Sequence, residues 1–223
     1  GVGELEYIKG STRIIDRTQL TSPAQIGFNK SGTVLLITEK ATNKLTTYLV
    51  DENGMAAHRP LKRSSAVPTP FGFEFGDRDY VFITEANGGA RGVTASYRVD
   101  RTTGEVSSLV DRIDQGNATC WTVLSSDETR GYSINTGSGS VSPYEINFDG
   151  TLEPFFSRNP DREIATGDAP RDAVLTQNNQ FLYVLNNGAG EIDGFRVRRS
   201  GNITSQRIHP VSVPGSVTGI IAR

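Results

Sequence analysis

The chain has 223 residues, with 23 Lys and Arg against 25 Asp and Glu, a formal net charge of −2, and a single cysteine. This length suits one β domain with a proper core. The near-neutral, slightly acidic balance lacks the basic face that nucleic-acid binders use to replace counterions. One cysteine excludes an internal disulfide framework and a Cys-cluster metal site. The sustained apolar run Val34–Ile37 is strand-sized, far from the ~18 residues that read as a membrane span.

In chain order, residues 1–20 offer one strand, Leu5–Ile8, expected to be the last strand of a blade, with its exit at Arg13-Ile14-Ile15. Residues 22–67 then read as four short β segments divided by turn chemistry. Gln25–Phe28 comes first, followed by the turn Asn29-Lys30-Ser31-Gly32 and a second strand, Val34–Thr38. Leu45–Val50 is the third, Asp51-Glu52-Asn53-Gly54 the next turn, and a short polar fourth follows. The pattern returns in 68–117 with Phe73–Phe75 and Tyr80–Thr84, in 118–169 with Trp121–Leu124 and Gly131–Asn135, and in 170–216 with Ala173–Leu175 and Phe181–Asn186. Residues 217–223, with Val217–Ala222, read as the first strand of a closing blade.

Two markers keep the same period. Glycines 3, 54, 104, 150 and 201 each open an alternating segment, at intervals of 51, 50, 46 and 51. The aromatics Tyr48, Tyr97, Tyr144 and Phe195 recur at 49, 47 and 51. No capped stretch of helical period interrupts them. Four strands in each repeat of 46–51 residues predict an all-β chain, a β-propeller of four-stranded antiparallel blades, with four complete blades and partial blades at both ends. An unclosed ring exposes strand edges. The chain opens on Gly rather than Met, so a missing N-terminal portion is expected, as a separate chain or as a partner copy. A five-bladed ring with one thin blade is the alternative.

Several segments resemble the lactonase family of seven-bladed propellers, which includes 6-phosphogluconolactonase-type and carboxymuconate-cyclase-type proteins. They are Ser22–Phe28, Ile37–Asn43, Pro68–Phe73, Ile83–Gly89, Asn135–Ser140 and Leu185–Gly190. The resemblance covers nearly the whole chain and implies the C-terminal portion of a full-length member that hydrolyses or forms a lactone. Members credited with catalysis resemble one another in carrying His or Arg just after the Pro that opens several inner strands. Here those slots read Ala24-Gln25 and Phe71-Gly72, and only Pro170-Arg171-Asp172 keeps a charged pair.

Propeller geometry itself nominates a site. The start of each blade's first strand and the end of its second emerge on one face. That rule gathers Gln25, Glu39, Glu85, Asn87, Cys120, Trp121, Asn135, Arg171, Asp172, Asn186 and Asn187. Glu39 and Glu85, in Ile-Thr-Glu both times, could serve as general base and acid if their environments separate their pKa values. Their recurrence with the repeat favours the other reading, structural acceptors that bond blade backbone or pair with a nearby Lys or Arg. Arg171 offers a bidentate fork to a carboxylate or phosphate. Its neighbour Asp172 should point the other way along the strand. Gln25, Asn87, Trp121, Asn135, Asp172, Asn186 and Asn187 are the expected ligand-binding residues. Trp121 either packs or stacks on a ring, and Cys120 reads as a buried thiol rather than a nucleophile.

His58 and His209 are expected in outer fourth strands, which leaves the channel without a histidine base or a histidine metal cluster. No metal and no cofactor are called for. The basic run His58–Arg63 reads as an edge guard, and Asn29, Asn117 and Asn202 head glycosylation sequons. Two functions remain open. One is a lactonase-like enzyme acting on a sugar acid or muconate, with Arg171 holding the anion and Glu39 or Glu85 moving the proton. The other is a non-catalytic extracellular or periplasmic binding or scaffold propeller. The expected partners are a small polar or anionic molecule and a missing N-terminal chain or second copy, and a secreted or periplasmic site is favoured over the cytoplasm.

Overall fold

The computed structural model describes residues 3–155, 163–206 and 219–221. Four antiparallel sheets follow one another along the chain. The first holds β1 (Pro23–Phe28), β2 (Val34–Glu39), β3 (Lys44–Leu49) and β4 (Leu61–Ser64). The second holds β5 (Pro70–Phe75), β6 (Tyr80–Glu85), β7 (Arg91–Val99) and β8 (Val106–Asn117). The third holds β9 (Thr119–Leu124), β10 (Arg130–Asn135), β11 (Ser140–Ile146) and β12 (Leu152–Pro154), with β13 (Ile164–Ala165) also on β11. The fourth holds β14 (Pro170–Leu175), β15 (Phe181–Asn186), β16 (Glu191–Val197) and β17 (Ile203–Gln206). In each sheet the strands lie in sequence order, so each sheet is a propeller blade with its first strand innermost. Among the described residues no helix is long and apolar enough to cross a membrane.

Turn chemistry fixes the hairpins. Asn29 Oδ1 accepts the amides of Thr33 at 3.0 Å and Val34 at 2.9 Å, closing the β1–β2 turn. Asp51 and Asp100 hold the following turns in the same way, on Asn53 and Met55 and on Thr102 and Thr103. A short Asx side chain can copy a backbone turn, which is why it punctuates every period.

The registers define equivalent positions: Ile26 faces Ile37, Phe73 faces Ile83, Thr122 faces Ser133, and Ala173 faces Val184. Each inner strand carries a register shift at its start, which the sequence reading missed by beginning those strands two or three residues late. The residue before each is left-handed although none is glycine: Ser22 (φ 49°), Thr69 (65°), Ala118 (49°) and Ala169 (47°). Each carbonyl is paid for by the amide just past the second strand, from Lys40, Ala86, Thr136 and Asn187, at 2.8–3.1 Å. These bonds pin a costly conformation and with it the direction of the next side chains.

Blades pack through alternating apolar faces. Val34, Leu36 and Leu45 of the first blade pack with Phe73, Phe75, Val81 and Ile83 of the second. Phe82 meets Tyr144 and Ile146, and Tyr132 and Ile134 meet Ala173, Leu182 and Val184. Burial of these interfaces is the main favourable term holding the arc together.

Two expectations are corrected. Leu5–Ile8 forms no strand, because the exposed segment finds no strand to pair with. Arg13 instead ties it to the first blade, donating from Nε to the carbonyls of Ala56 at 2.9 Å and Ala57 at 3.0 Å. His58 lies in an exposed bend before β4, since after Gly54 only the single bridge Val50–Ala56 forms. His209, and Val217, Thr218 and Ala222 of the expected closing strand, lie outside the described residues.

Candidate functional site

The inner strands line a groove of about 510 Å³ that runs along the channel side of the blades. Gln25, Glu74, Trp121 and Asp172 line it from β1, β5, β9 and β14, and Lys30, Ser125 and Glu128 line it from the turns that follow β1 and β9. Gln25, Trp121 and Asp172 thus line one groove. Asn87, Asn135, Asn186, Asn187, Arg171, Glu39 and Glu85 do not line it.

Gln25 spends its amide on structure. Its Nε2 donates to the Phe73 carbonyl and its Oε1 accepts the Phe73 amide, both at 2.9 Å. Trp121 stands edge-on to Phe71, with ring centroids 5.4 Å apart, and keeps part of its indole open to the groove. Asp172 Oδ1 accepts the amide of Ala173 at 2.8 Å and Oδ2 that of Ile220 at 3.0 Å. Burial nevertheless pushes its pKa up, against the pull of those two amides.

Glu74 is the residue that sequence reasoning missed. Its carboxylate is open to solvent within the groove but walled in by neighbouring strands. That enclosure, with the negative Asp172 adding to it and Lys30 opposing, raises its pKa from 4.5 to about 7. Lys30 is itself engaged, pairing with Glu128 and with Asp77 at the groove's far end. A signal for Glu74 was present: the equivalent positions in the other blades are Gly27, Val123 and Val174, so this carboxylate breaks the repeat.

Glu39, Glu85, Asn135 and Asn186 close the second strands and are fully buried. Glu39 accepts from the hydroxyls of Thr42 and Thr46 and lies 3.6 Å from Lys62 Nζ. Glu85 accepts from Tyr97 Oη at 2.6 Å and from the amides of Ala66 and Val67; burial still raises its pKa. Asn135 accepts from Thr119 and donates to Ser140 and Ser142 at 2.8–3.0 Å. Asn186 donates to Asp193 at 2.8 Å. The four positions tie each blade's second strand to its surroundings, chiefly to the third strand. Asn87, left-handed, donates to the Arg91 carbonyl at 3.0 Å and shapes a turn, and Asn187 supplies the amide that holds Ala169.

Arg171 is exposed at the start of β14. It and Lys40 lie close enough to Cys120 to favour the thiolate, yet burial dominates and raises the thiol's pKa, leaving it unreactive. Among the described residues no cluster of three His, Cys, Asp or Glu side chains could hold a metal ion.

No family model matches the chain, and no curated protein matches it significantly. Solved structures do. A protein of Bacteroides fragilis provisionally assigned as a 6-phosphogluconolactonase is 18% identical, with TM-score 0.73 over 92% of this chain and 60% of its own. A protein of Lactobacillus plantarum is 20% identical, with TM-score 0.73 over 86% and 56%. The periplasmic gluconolactonase of Pseudomonas aeruginosa is 15% identical, with TM-score 0.62 over 83% and 56%. The chain therefore spans a little over half the length of these structures, and over that span it has the β-propeller fold of lactonase-type proteins.

Proposed function

We propose that this chain forms part of a lactonase-like propeller that hydrolyses the lactone of a sugar acid in the inner groove, with Glu74 as the proton-handling carboxyl. The observation that carries this reading is Glu74 itself, a groove carboxyl with a pKa of about 7. Near neutral pH such a group is divided between base and acid, the condition under which general acid–base catalysis works best. As carboxylate it takes a proton from the water that attacks the lactone carbonyl carbon. As the ring C–O bond breaks, it returns that proton to the departing ring oxygen, so water and lactone balance the hydroxy acid formed. Trp121 offers an apolar face to the sugar ring.

Charge selects within this class. Of the charged side chains lining the groove, Glu74, Glu128 and Asp172 are acidic and Lys30 is paired. An uncharged sugar lactone suits this lining better than a muconate or a phosphorylated sugar. A location outside the cytoplasm accords with the three sequons and with the periplasmic gluconolactonase among the similar structures.

The test is initial-rate hydrolysis of glucono-1,5-lactone by the whole native protein and by Glu74→Gln. The expected result is turnover that follows an apparent pKa near 7 and falls about 10²–10⁴-fold in the variant. Turnover that Glu74→Gln leaves unchanged would overturn the assignment of Glu74. No turnover at all would favour the second reading, a non-catalytic binding propeller. That reading is supported by the way Glu39, Glu85, Asn135 and Asn186 are spent on holding strands together.

A further inference from the structure

The internal repeat makes each blade a reference for the others, and the third blade departs from it at two adjoining places. Leu35, Val81, Gly131 and Leu182 hold one position of the second strand, facing Tyr48, Tyr97, Tyr144 and Phe195 of the third. Of these four only Gly131 lacks a side chain, and the Tyr144 ring lies across it, where a Cβ would overlap Cζ and Oη. The ring thereby reaches β9, with its Oη 2.8 Å from Thr122 Oγ1. Thr122 is itself the exception at its own position, whose equivalents are Ile26, Phe73 and Ala173.

This hydroxyl pair stands beside Glu74. Thr122 and Glu74 both line the inner groove. Glu74 is the cross-strand partner of Phe82, so the two side chains share a face, and Phe82 packs with Tyr144. Burial pushes the Tyr144 pKa up, and the nearby Glu74 charge adds to the push. Two hydroxyls bring two protons, and one of them lies between the oxygens. If Thr122 donated it, the Tyr144 proton would be stranded in the core, because Tyr144 is fully buried and among the described residues its Oη has no other hydrogen-bond partner. The phenol is also much the stronger acid of the two. Tyr144 is therefore the donor, and the Thr122 proton is left for the groove.

We infer that Thr122, oriented by Tyr144, donates a hydrogen bond to the carbonyl oxygen of the lactone whose carbonyl carbon is attacked by the Glu74-activated water; this rests on the hydrolysis proposed above. As the water oxygen bonds to that carbon and Glu74 takes its proton, the carbonyl π pair moves onto oxygen. The Thr122 hydroxyl stabilises the charge there without giving up its own proton. The pair returns to re-form the carbonyl as the ring C–O bond breaks and Glu74 protonates the departing oxygen. Thr122 is then a catalytic residue, and Tyr144, which acts through it, a positioning residue.

The experiment pairs hydrolysis of glucono-1,5-lactone with binding of glucono-1,5-lactam, a neutral probe that keeps the carbonyl and resists hydrolysis, read from Trp121 fluorescence in the whole protein. Thr122→Val, Thr122→Ser and Tyr144→Phe are compared with the parent. The fold tolerates apolar groups at both places, as Ile26, Phe73, Ala173 and Phe195 show in the other blades. Thr122→Val is expected to lose about 10²-fold in kcat and to bind the lactam about 10-fold more weakly. Thr122→Ser recovers most of both. Tyr144→Phe lowers kcat about 10-fold and leaves KM within about twofold, the mark of an interaction made in the transition state. Glu74-dependent turnover that Thr122→Val leaves unchanged overturns the inference and spares the reading of Glu74. Lactam binding that needs the Thr122 hydroxyl, with no turnover in the parent, overturns hydrolysis and keeps Thr122 as the groove's carbonyl donor. Neither turnover nor lactam binding in the parent overturns both, and an unchanged kcat in Tyr144→Phe overturns its positioning role.

Discussion

Gln25 and Phe73 exchange two hydrogen bonds across a blade boundary, each 2.9 Å long, so a side-chain amide completes what would otherwise be a rung of backbone pairing. The contact joins β1 to β5 where two inner strands diverge and no ladder can form. Replacing Gln25 by Ala leaves a partly buried amide and carbonyl of Phe73 without partners, at a cost of about 1–3 kcal/mol. Gln25→Glu can still accept the Phe73 amide but not donate, and should fall between. Urea midpoints of the three proteins check this order; equal midpoints would show that the rung contributes nothing.

Close approach predicts a second ranking. A Cβ on Gly72 would stand 2.5 Å from Trp121 Cε3 and 2.7 Å from the Cys120 carbonyl, one of them backbone. A Cβ on Gly27 would meet the Phe73 ring at 3.1 Å and otherwise Gln25 Nε2 at 4.0 Å, side chains both. Gly72→Ala should therefore cost about 1–3 kcal/mol through forced separation of β5 and β9, and Gly27→Ala less. The Trp121 fluorescence maximum should shift in Gly72→Ala and stay in place in Gly27→Ala, since only the first displaces the indole.

The buried acids at the ends of β2 and β6 give a third prediction. Glu85 holds Tyr97 and two linker amides, and Glu39 holds two threonines. Glu85→Ala and Glu39→Ala should each destabilise by about 3–5 kcal/mol or prevent folding, because buried partners lose their acceptor. Glu39→Gln and Glu85→Gln preserve shape and part of the bonding and should cost less. If these Gln variants keep full thermal stability but abolish lactone hydrolysis, the two acids belong to the chemistry rather than the scaffold.

Blade architecture was legible because turn residues and apolar alternation repeat at 46–51 residues, and each is a local property of the chain. The groove was only half legible. Topology alone placed Gln25, Trp121 and Asp172 along it, but it also promoted Glu39 and Glu85, whose recurrence marks a structural role. Glu74 sits mid-strand between Phe73 and Phe75, where alternation says only that it faces away from the phenyl rings. What lies on that side depends on three other strands, 50 to 100 residues distant in sequence. The failure of Leu5–Ile8 to form a strand has a similar cause: a strand needs a neighbour, and local pattern cannot supply one.

Glu74 also predicts how stability varies with pH. Its pKa is 4.5 in an unfolded chain and about 7 in the fold. Between those values the folded protein keeps a proton that the unfolded chain has released, so stability falls as pH rises from 4.5 to 7 and then levels off. Glu85 and Asp172, also raised by burial, act in the same direction. Asp16, Asp77, Asp100, Asp127 and Asp149, lowered by their hydrogen bonds or by Lys30, act oppositely, but their loss falls at lower pH. Glu74→Gln carries no titrating proton. Its stability relative to the parent should therefore rise steadily from pH 4.5 to 7 and stay constant above. Urea unfolding at unit steps from pH 4 to 9 reads this difference directly. A difference that does not change across that range would mean that Glu74 titrates alike in both states, and the groove would then lose its neutral-pH acid.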